Sequence, residues 1–170
     1  MVIYMLLGAM PPALACLVII TLARRRYLVV TVEGASMTPA LTDGDRVLVR
    51  RTDLAGIGVG RLVVAAPPEG GHWDAMSLPT WLIKRAAAVP GDPVPRDRGP
   101  ALRDILGNQV PDGRIVLLGD NPEESLDSRF CGYFHEEQIL GVVVRELPRA
   151  VPRPAGSHQF ATTGSLQKET

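Results

Sequence analysis

Tyr27-Leu28-Val29-Val30-Thr31-Val32-Glu33-Gly34-Ala35-Ser36-Met37-Thr38-Pro39-Ala40-Leu41 is the stretch from which the rest of the chain can be read. Its first half is apolar and β-branched, the composition of a strand packed on a core. Gly34 then supplies backbone freedom, and Pro39 fixes its own φ and pushes Thr38 toward an extended conformation. Ser36 therefore sits on a corner after a strand, where its hydroxyl can face a surface. That geometry suits a nucleophile and equally suits an ordinary surface turn.

Outward from this corner the pattern repeats. Val29 to Val32, Arg46 to Arg50, Arg61 to Ala65, Trp81 to Val89, Arg114 to Leu118 and Val142 to Leu147 read as strands. Turn residues separate them at Asp43-Gly44-Asp45, Pro67 to Gly71, Pro90 to Pro95, Pro111-Asp112-Gly113 and Asn121-Pro122. No soluble amphipathic helix longer than two turns stands out, and Phe134 to Leu140 is expected to form one short helical turn. The fold expected is mainly β: an antiparallel sheet over residues 24–147.

Met1 to Ala23 carries no charged side chain and ends at Arg24-Arg25-Arg26. At about 1.5 Å per residue such a run just spans a hydrocarbon core of roughly 30 Å. Pro11-Pro12 would kink it, which membrane helices tolerate. The start lacks lysine and arginine, so a cleaved secretory signal fits poorly. Residues 1–23 are thus expected to form an uncleaved transmembrane anchor in a lipid bilayer. The three arginines, by the positive-inside rule, direct the following domain to the cytoplasm. Residues 148–170 are rich in Pro, Gly, Ser and Thr and read as a disordered tail.

The 170 residues hold 18 Lys and Arg against 18 Asp and Glu, a balance that gives no sign of a nucleic-acid partner. Only Lys84 and Lys168 are lysines, which makes an internal lysine informative, since arginine does not shed its proton. Cys16 and Cys131 have no metal-ligand spacing. His72, His135 and His158 lack the companion pattern of a Ser-His-Asp arrangement.

In Leu82-Ile83-Lys84-Arg85-Ala86, period two places Leu82, Lys84 and Ala86 on one strand face and Ile83 and Arg85 on the other. Burial among apolar neighbours lowers an ammonium pKa from about 10.4 toward neutrality, and roughly three units correspond to about 4 kcal/mol. A neutral amine of that kind can take a serine proton. The same segment also fits a lysine that reaches water from an edge strand or pairs with a carboxylate. Gly119-Asp120-Asn121-Pro122-Glu123-Glu124-Ser125-Leu126-Asp127-Ser128-Arg129 is a loop dense in hydrogen-bonding groups. It suits either a solvated turn or a brace for a catalytic amine, with Asp127 and Arg129 as a charged clamp.

Together these stretches resemble the type I signal peptidase family of membrane-bound serine endopeptidases. Ser36-Met37-Thr38-Pro39 is similar to its nucleophile box and Gly44-Asp45-Arg46-Val47-Leu48-Val49 to the structural box that follows. Lys84-Arg85 through Pro90-Gly91-Asp92 is similar to the lysine box, and Gly119-Asp120-Asn121 with Ser125 to Arg129 to the last. The resemblance implies a Ser/Lys dyad, with Ser36 as nucleophile and Lys84 as general base. It implies that Ser125 holds the Lys84 amine, that Asp127, Arg129 and Arg85 brace the site, and that Gly34 and Met37 contact substrate. It further implies one oxyanion donor in the Ser36 N–H and an extended substrate bound along the strands, with small residues such as Ala before the scissile bond. No metal or organic cofactor is implied. The partners implied are precursor proteins carrying signal or leader peptides.

Some members of the family carry a hydroxyl residue where this chain has Gly34. Only about 27 residues separate Asp92 from Gly119, so the larger accessory β-domain is expected to be reduced, as in compact Gram-positive, organellar or dedicated maturation members. The family places its catalytic domain outside the cytoplasm, against the arginine argument, and that extracytoplasmic, single-pass arrangement is the one expected here. A dedicated protease for one precursor, a self-cleaving repressor-type Ser/Lys protein and a non-catalytic anchored β-module that binds extended peptides are the alternatives. The repressor type would need a DNA-binding helical domain, for which the apolar N-terminus leaves no room.

Overall fold

The computed structural model describes residues 12–68 and 79–149. The first eleven residues of the expected anchor, His72, His158, part of the turn at 67–71 and the tail beyond residue 149 lie outside the described residues. Within them, the apolar run is a helix, Pro12–Arg26, that passes without a linker into β1, Tyr27–Thr31. No described helix is long and apolar enough to cross a membrane.

Six further strands follow: β2 (Arg46–Arg50), β3 (Leu62–Ala65), β4 (Leu82–Ala88), β5 (Arg114–Leu118), β6 (Phe134–His135) and β7 (Ile139–Leu147). They form one sheet in the order β1-β2-β7-β3-β4-β5-β6, and every neighbouring pair is antiparallel. The mainly β, antiparallel expectation thus matches the architecture. Strand β7 begins three residues earlier than the apolar pattern suggests, because Gly141 interrupts the run of branched side chains yet still pairs with Val64. Phe134 to Leu140 is not one helical turn. Phe134 and His135 pair with β5, and only Glu136–Gln138 makes a 3-10 turn. Gln138 explains the difference: its Oε1 accepts from the His135 N–H at 2.8 Å and its Nε2 donates to the Pro67 carbonyl at 3.2 Å, so the turn is tied to its surroundings.

Alternation along the strands gives the sheet two apolar faces. One packs Val30, Val47, Val49, Val64 and Ile83 with Met37 and Leu41 from the turn after β1. The other packs Val63, Ala65, Leu82, Ala86, Ile115, Leu117 and Val142 with Leu54, Ile57 and Phe134. Burying each such larger side chain stabilises the fold by roughly 1.5–3 kcal/mol. The short connection from Asp92 to Gly119 supplies a satellite core of Val94, Leu102 and Val110 against Ala88, Val116 and Leu118. Strand β4, covered on both faces, carries one charged residue on the second face, its third residue, Lys84.

Candidate active site

Ser36 opens a compact turn between β1 and β2. Thr38 N donates to the Ala35 carbonyl at 3.1 Å and Leu41 N to the Met37 carbonyl at 2.9 Å. Met37 and Leu41, each 1% exposed, peg this turn into the core and leave Ser36 half-buried at the surface. Gly34 enters the turn at φ +81°, a left-handed conformation that favours glycine, and its N–H donates to Asp43 Oδ1 at 2.8 Å. The far side of the turn is held by Asp45, whose carboxylate accepts from the Thr42 N–H and the Arg149 guanidinium and is lowered to about 2.

Lys84 pairs with Val63 across β3 and shares its face with Leu82 and Ala86, as period two requires. Its side chain is only 2% exposed, and Nζ lies 2.7 Å from Ser36 Oγ. Burial pushes the amine down to about 8; the Asp127 carboxylate opposes the shift and the Arg129 guanidinium adds to it. The downward direction is the one expected for a buried amine, and the nearby Asp127 carboxylate limits the fall. At pH 7 the protonated amine is therefore the major form and the neutral amine a minor one. The 2.7 Å contact serves either proton position, since an ammonium donates to Oγ and a neutral amine accepts the serine proton.

The loop after β5 braces both partners. Asn121 N donates to the Ser36 carbonyl at 3.0 Å and Asn121 Nδ2 to the Ala35 carbonyl at 3.3 Å, which ties the loop to the turn. Asp127 is fully buried. Its Oδ2 accepts from Gly119 N (2.7 Å), Ser125 Oγ (2.6 Å) and Arg129 Nη1 (2.7 Å), and its Oδ1 from Arg129 N (3.0 Å). Arg129 Nη2 also donates to the Gly119 carbonyl at 3.1 Å, so the expected clamp between Asp127 and Arg129 is formed. Ser125 differs in detail from what the resemblance implies. Its hydroxyl donates to the Asp127 carboxylate, and the hydrogen-bond partner of Lys84 Nζ is Ser36. A hydroxyl has one proton, and a carboxylate is its stronger acceptor. Gly119 is the point of closest approach: a Cβ there would lie 2.1 Å from Ser125 Oγ and 2.8 Å from the Ser36 carbonyl oxygen.

Arg85, on the opposite face of β4 from Lys84, makes a two-pronged contact with Asp120, Nε to Oδ1 at 2.8 Å and Nη2 to Oδ2 at 2.6 Å, and donates to the Gly60 carbonyl. The carboxylate raises the guanidinium pKa further. Sequence reasoning did not assign Asp120 and Asn121 these partners. The signal available was their place in the Gly119-Asp120-Asn121 box. Ser128, in the last box but given no role, has an Oγ that accepts from the Leu117 N–H.

Beside Ser36 lies a recess of about 20 Å³ lined by Val32, Glu33, Met37, Trp81, Leu82 and Ile83, room for about one water-sized group. A shallow groove continues from it along Leu28 to Thr31 of β1, the edge strand, opposite Thr80 and Trp81. Met37 therefore floors the recess, whereas Gly34 lies outside its lining. The Ser36 N–H has no hydrogen-bond acceptor among the described residues. His135 is exposed on β6 and contacts the Arg114 guanidinium.

The family model described as signal peptidase, peptidase S26, matches residues 5–104 and 96–146. A probable signal peptidase I-1 of Synechocystis is 30% identical over 172 aligned residues, covering 90% of this chain and 86% of that protein. Signal peptidase IB of Staphylococcus aureus is 29% identical over 149, covering 66% of this chain and 73% of that one.

Proposed function

The chain belongs to the signal peptidase family, peptidase S26, and from that premise we propose that it is a serine endopeptidase that cleaves signal peptides from precursor proteins through a dyad of Ser36 and Lys84. The observation that carries the dyad is the 2.7 Å contact between the buried Lys84 amine and the Ser36 hydroxyl.

In this reading the neutral Lys84 amine takes the proton from Ser36 Oγ as the oxygen attacks the scissile carbonyl. The Ser36 N–H, free of other acceptors among the described residues, faces the developing oxyanion. Lys84 then gives the proton to the leaving amine, which frees the mature chain and leaves the signal peptide as an ester on Ser36. A water, deprotonated by the same amine, hydrolyses that ester and returns Ser36 to its starting state. Asp127, Arg129 and Ser125 hold the loop against which Lys84 packs, and Asn121 holds the Ser36 turn. The substrate lies extended along the β1 edge, and the small recess beside Ser36 admits a side chain of alanine size. Residues 1–23 anchor the enzyme in the bilayer, with the β-domain outside the cytoplasm where exported chains emerge.

Membranes containing the wild-type chain, offered an exported precursor with an Ala-x-Ala junction, should cleave it, and Ser36→Ala membranes should not. Equal cleavage by both would reject the dyad. No cleavage by either, with Ser36 still acylated by a serine-directed inhibitor, would favour the dedicated maturation protease. Absence of acylation would leave a peptide-binding β-module.

A further inference from the structure

The arginines at the helix end are usually a sequence-local matter: cations in a last turn complement the helix dipole. Here the fold adds two more from a distant segment. Arg51 N donates to the Arg26 carbonyl at 2.9 Å, and Arg50 pairs with Tyr27 across β1 and β2. Arg24, Arg25, Arg26 and Arg51 are exposed and Arg50 is half-buried. None of the five has a carboxylate partner among the described residues. Grouping like charges is unfavourable unless an anion is supplied from outside.

The surroundings say which anion. Leu17, Ile19 and Leu22 on the adjoining helix are 60%, 65% and 55% exposed. The described helix is apolar and exposed all round up to the arginines, and Tyr27 and Val29, on one face of β1 and 39% and 45% exposed, add apolar side chains just beyond them. An apolar surface bordered by guanidinium groups is the arrangement that seats in a headgroup layer, with the apolar part toward the acyl chains and the cations on the phosphates.

We propose that Arg24, Arg25, Arg26, Arg50 and Arg51 form a folded collar that binds the phosphates of anionic phospholipids and seats the β1 edge against the membrane surface. The edge so oriented is the one whose groove leads to Ser36, so the collar would fix the height of the groove above the bilayer. The inference stands apart from the dyad, because none of its residues touches the Ser36 site.

The test uses the full chain, diluted from detergent into competing vesicles of phosphatidylcholine alone and of phosphatidylcholine with phosphatidylglycerol, and separated by flotation. The wild type should prefer the anionic vesicles, and the preference should fall as salt is raised. Arg50→Gln with Arg51→Gln should weaken it by roughly fivefold per arginine, while Arg50→Lys with Arg51→Lys should retain it. Equal partition of the wild type would overturn the proposal. So would an unchanged preference in the glutamine variant, which would return the effect to the helix end alone. Peptide cleavage in detergent, run alongside, should be the same in wild type and glutamine variant. A chain that fails to cleave but keeps its lipid preference would sink the peptidase reading and leave the collar standing.

Discussion

At the β4–β5 end of the sheet the charged side chains around the site are paired with one another, while five arginines at the β1–β2 end are left without a carboxylate partner among the described residues. Asp127, Arg129, Arg85 and Asp120 each have an ionic partner, and all but Asp120 also bond to backbone groups. Arg24, Arg25, Arg26, Arg50 and Arg51 have no carboxylate partner among the described residues. The same guanidinium group thus does two jobs. Saturated and half-buried, it holds a loop in one geometry. Exposed and unsaturated, it remains free to meet a charge outside the protein. Lys84 stands between these cases: buried like the first set, without an ion pair like the second, and it is this combination that lowers its pKa.

The most severe way to break the contrast is to make Lys84 behave like its neighbours. Lys84→Arg keeps a cation beside Ser36 but removes the ability to lose a proton, so kcat/KM should fall by about 10⁴-fold or more, with circular dichroism unchanged. Removing the match at the buried end comes next. Asp127→Ala leaves the Arg129 guanidinium, the Gly119 N–H and the Ser125 hydroxyl without their acceptor, and should destabilise the fold by about 3–5 kcal/mol in urea unfolding.

A third test reads the cost of Lys84 itself. Its folded pKa of about 8 lies below the unfolded 10.5, so between these values the unfolded state binds more protons and stability rises with pH. Below pH 8 the full penalty applies, about 3 kcal/mol. Lys84→Met should therefore be inactive yet more stable than wild type at pH 7, with the advantage shrinking by pH 10. For the wild type, cleavage should rise about tenfold per pH unit below 8 and level off above it, because the neutral amine is the active form. A flat profile from pH 6 to 9 would remove Lys84 as the base.

Smaller effects sharpen the geometry. Gly119→Ala drives a methyl into Ser125 Oγ and the Ser36 carbonyl, and should cost about 1–3 kcal/mol of stability as well as activity. Last is the pair Arg50→Gln and Arg51→Gln, expected to weaken the lipid preference by roughly fivefold per arginine and to leave detergent activity and urea midpoint unchanged.

Much of this was legible beforehand. Branched apolar runs bounded by Gly and Pro marked six of the seven strands, because side chains that pack on a pleated surface leave a local signature. The missing one, Phe134–His135, is two residues long and too short to show a period. Four boxes in order drew attention to Ser36, Lys84, Ser125, Asp127 and Arg129, and an internal lysine in a chain whose cations are nearly all arginine stood out. Hydrogen-bond direction was another matter. That the Ser125 hydroxyl goes to Asp127, and that Asp120 captures Arg85, depends on which acceptors compete at one place.

Local sequence carries most of the strands, the turn that presents Ser36 and the residue types able to move a proton, since these follow from periodicity, proline and glycine geometry and side-chain chemistry within a few residues. That Ser36 and Lys84, 48 residues apart, meet at 2.7 Å, and that Arg50 and Arg51 join three arginines on the helix, emerges only once the chain is folded. Those are consequences of antiparallel register and of burial, which shifts a pKa by removing water. Both belong to chain segments in contact, and no single segment carries them alone.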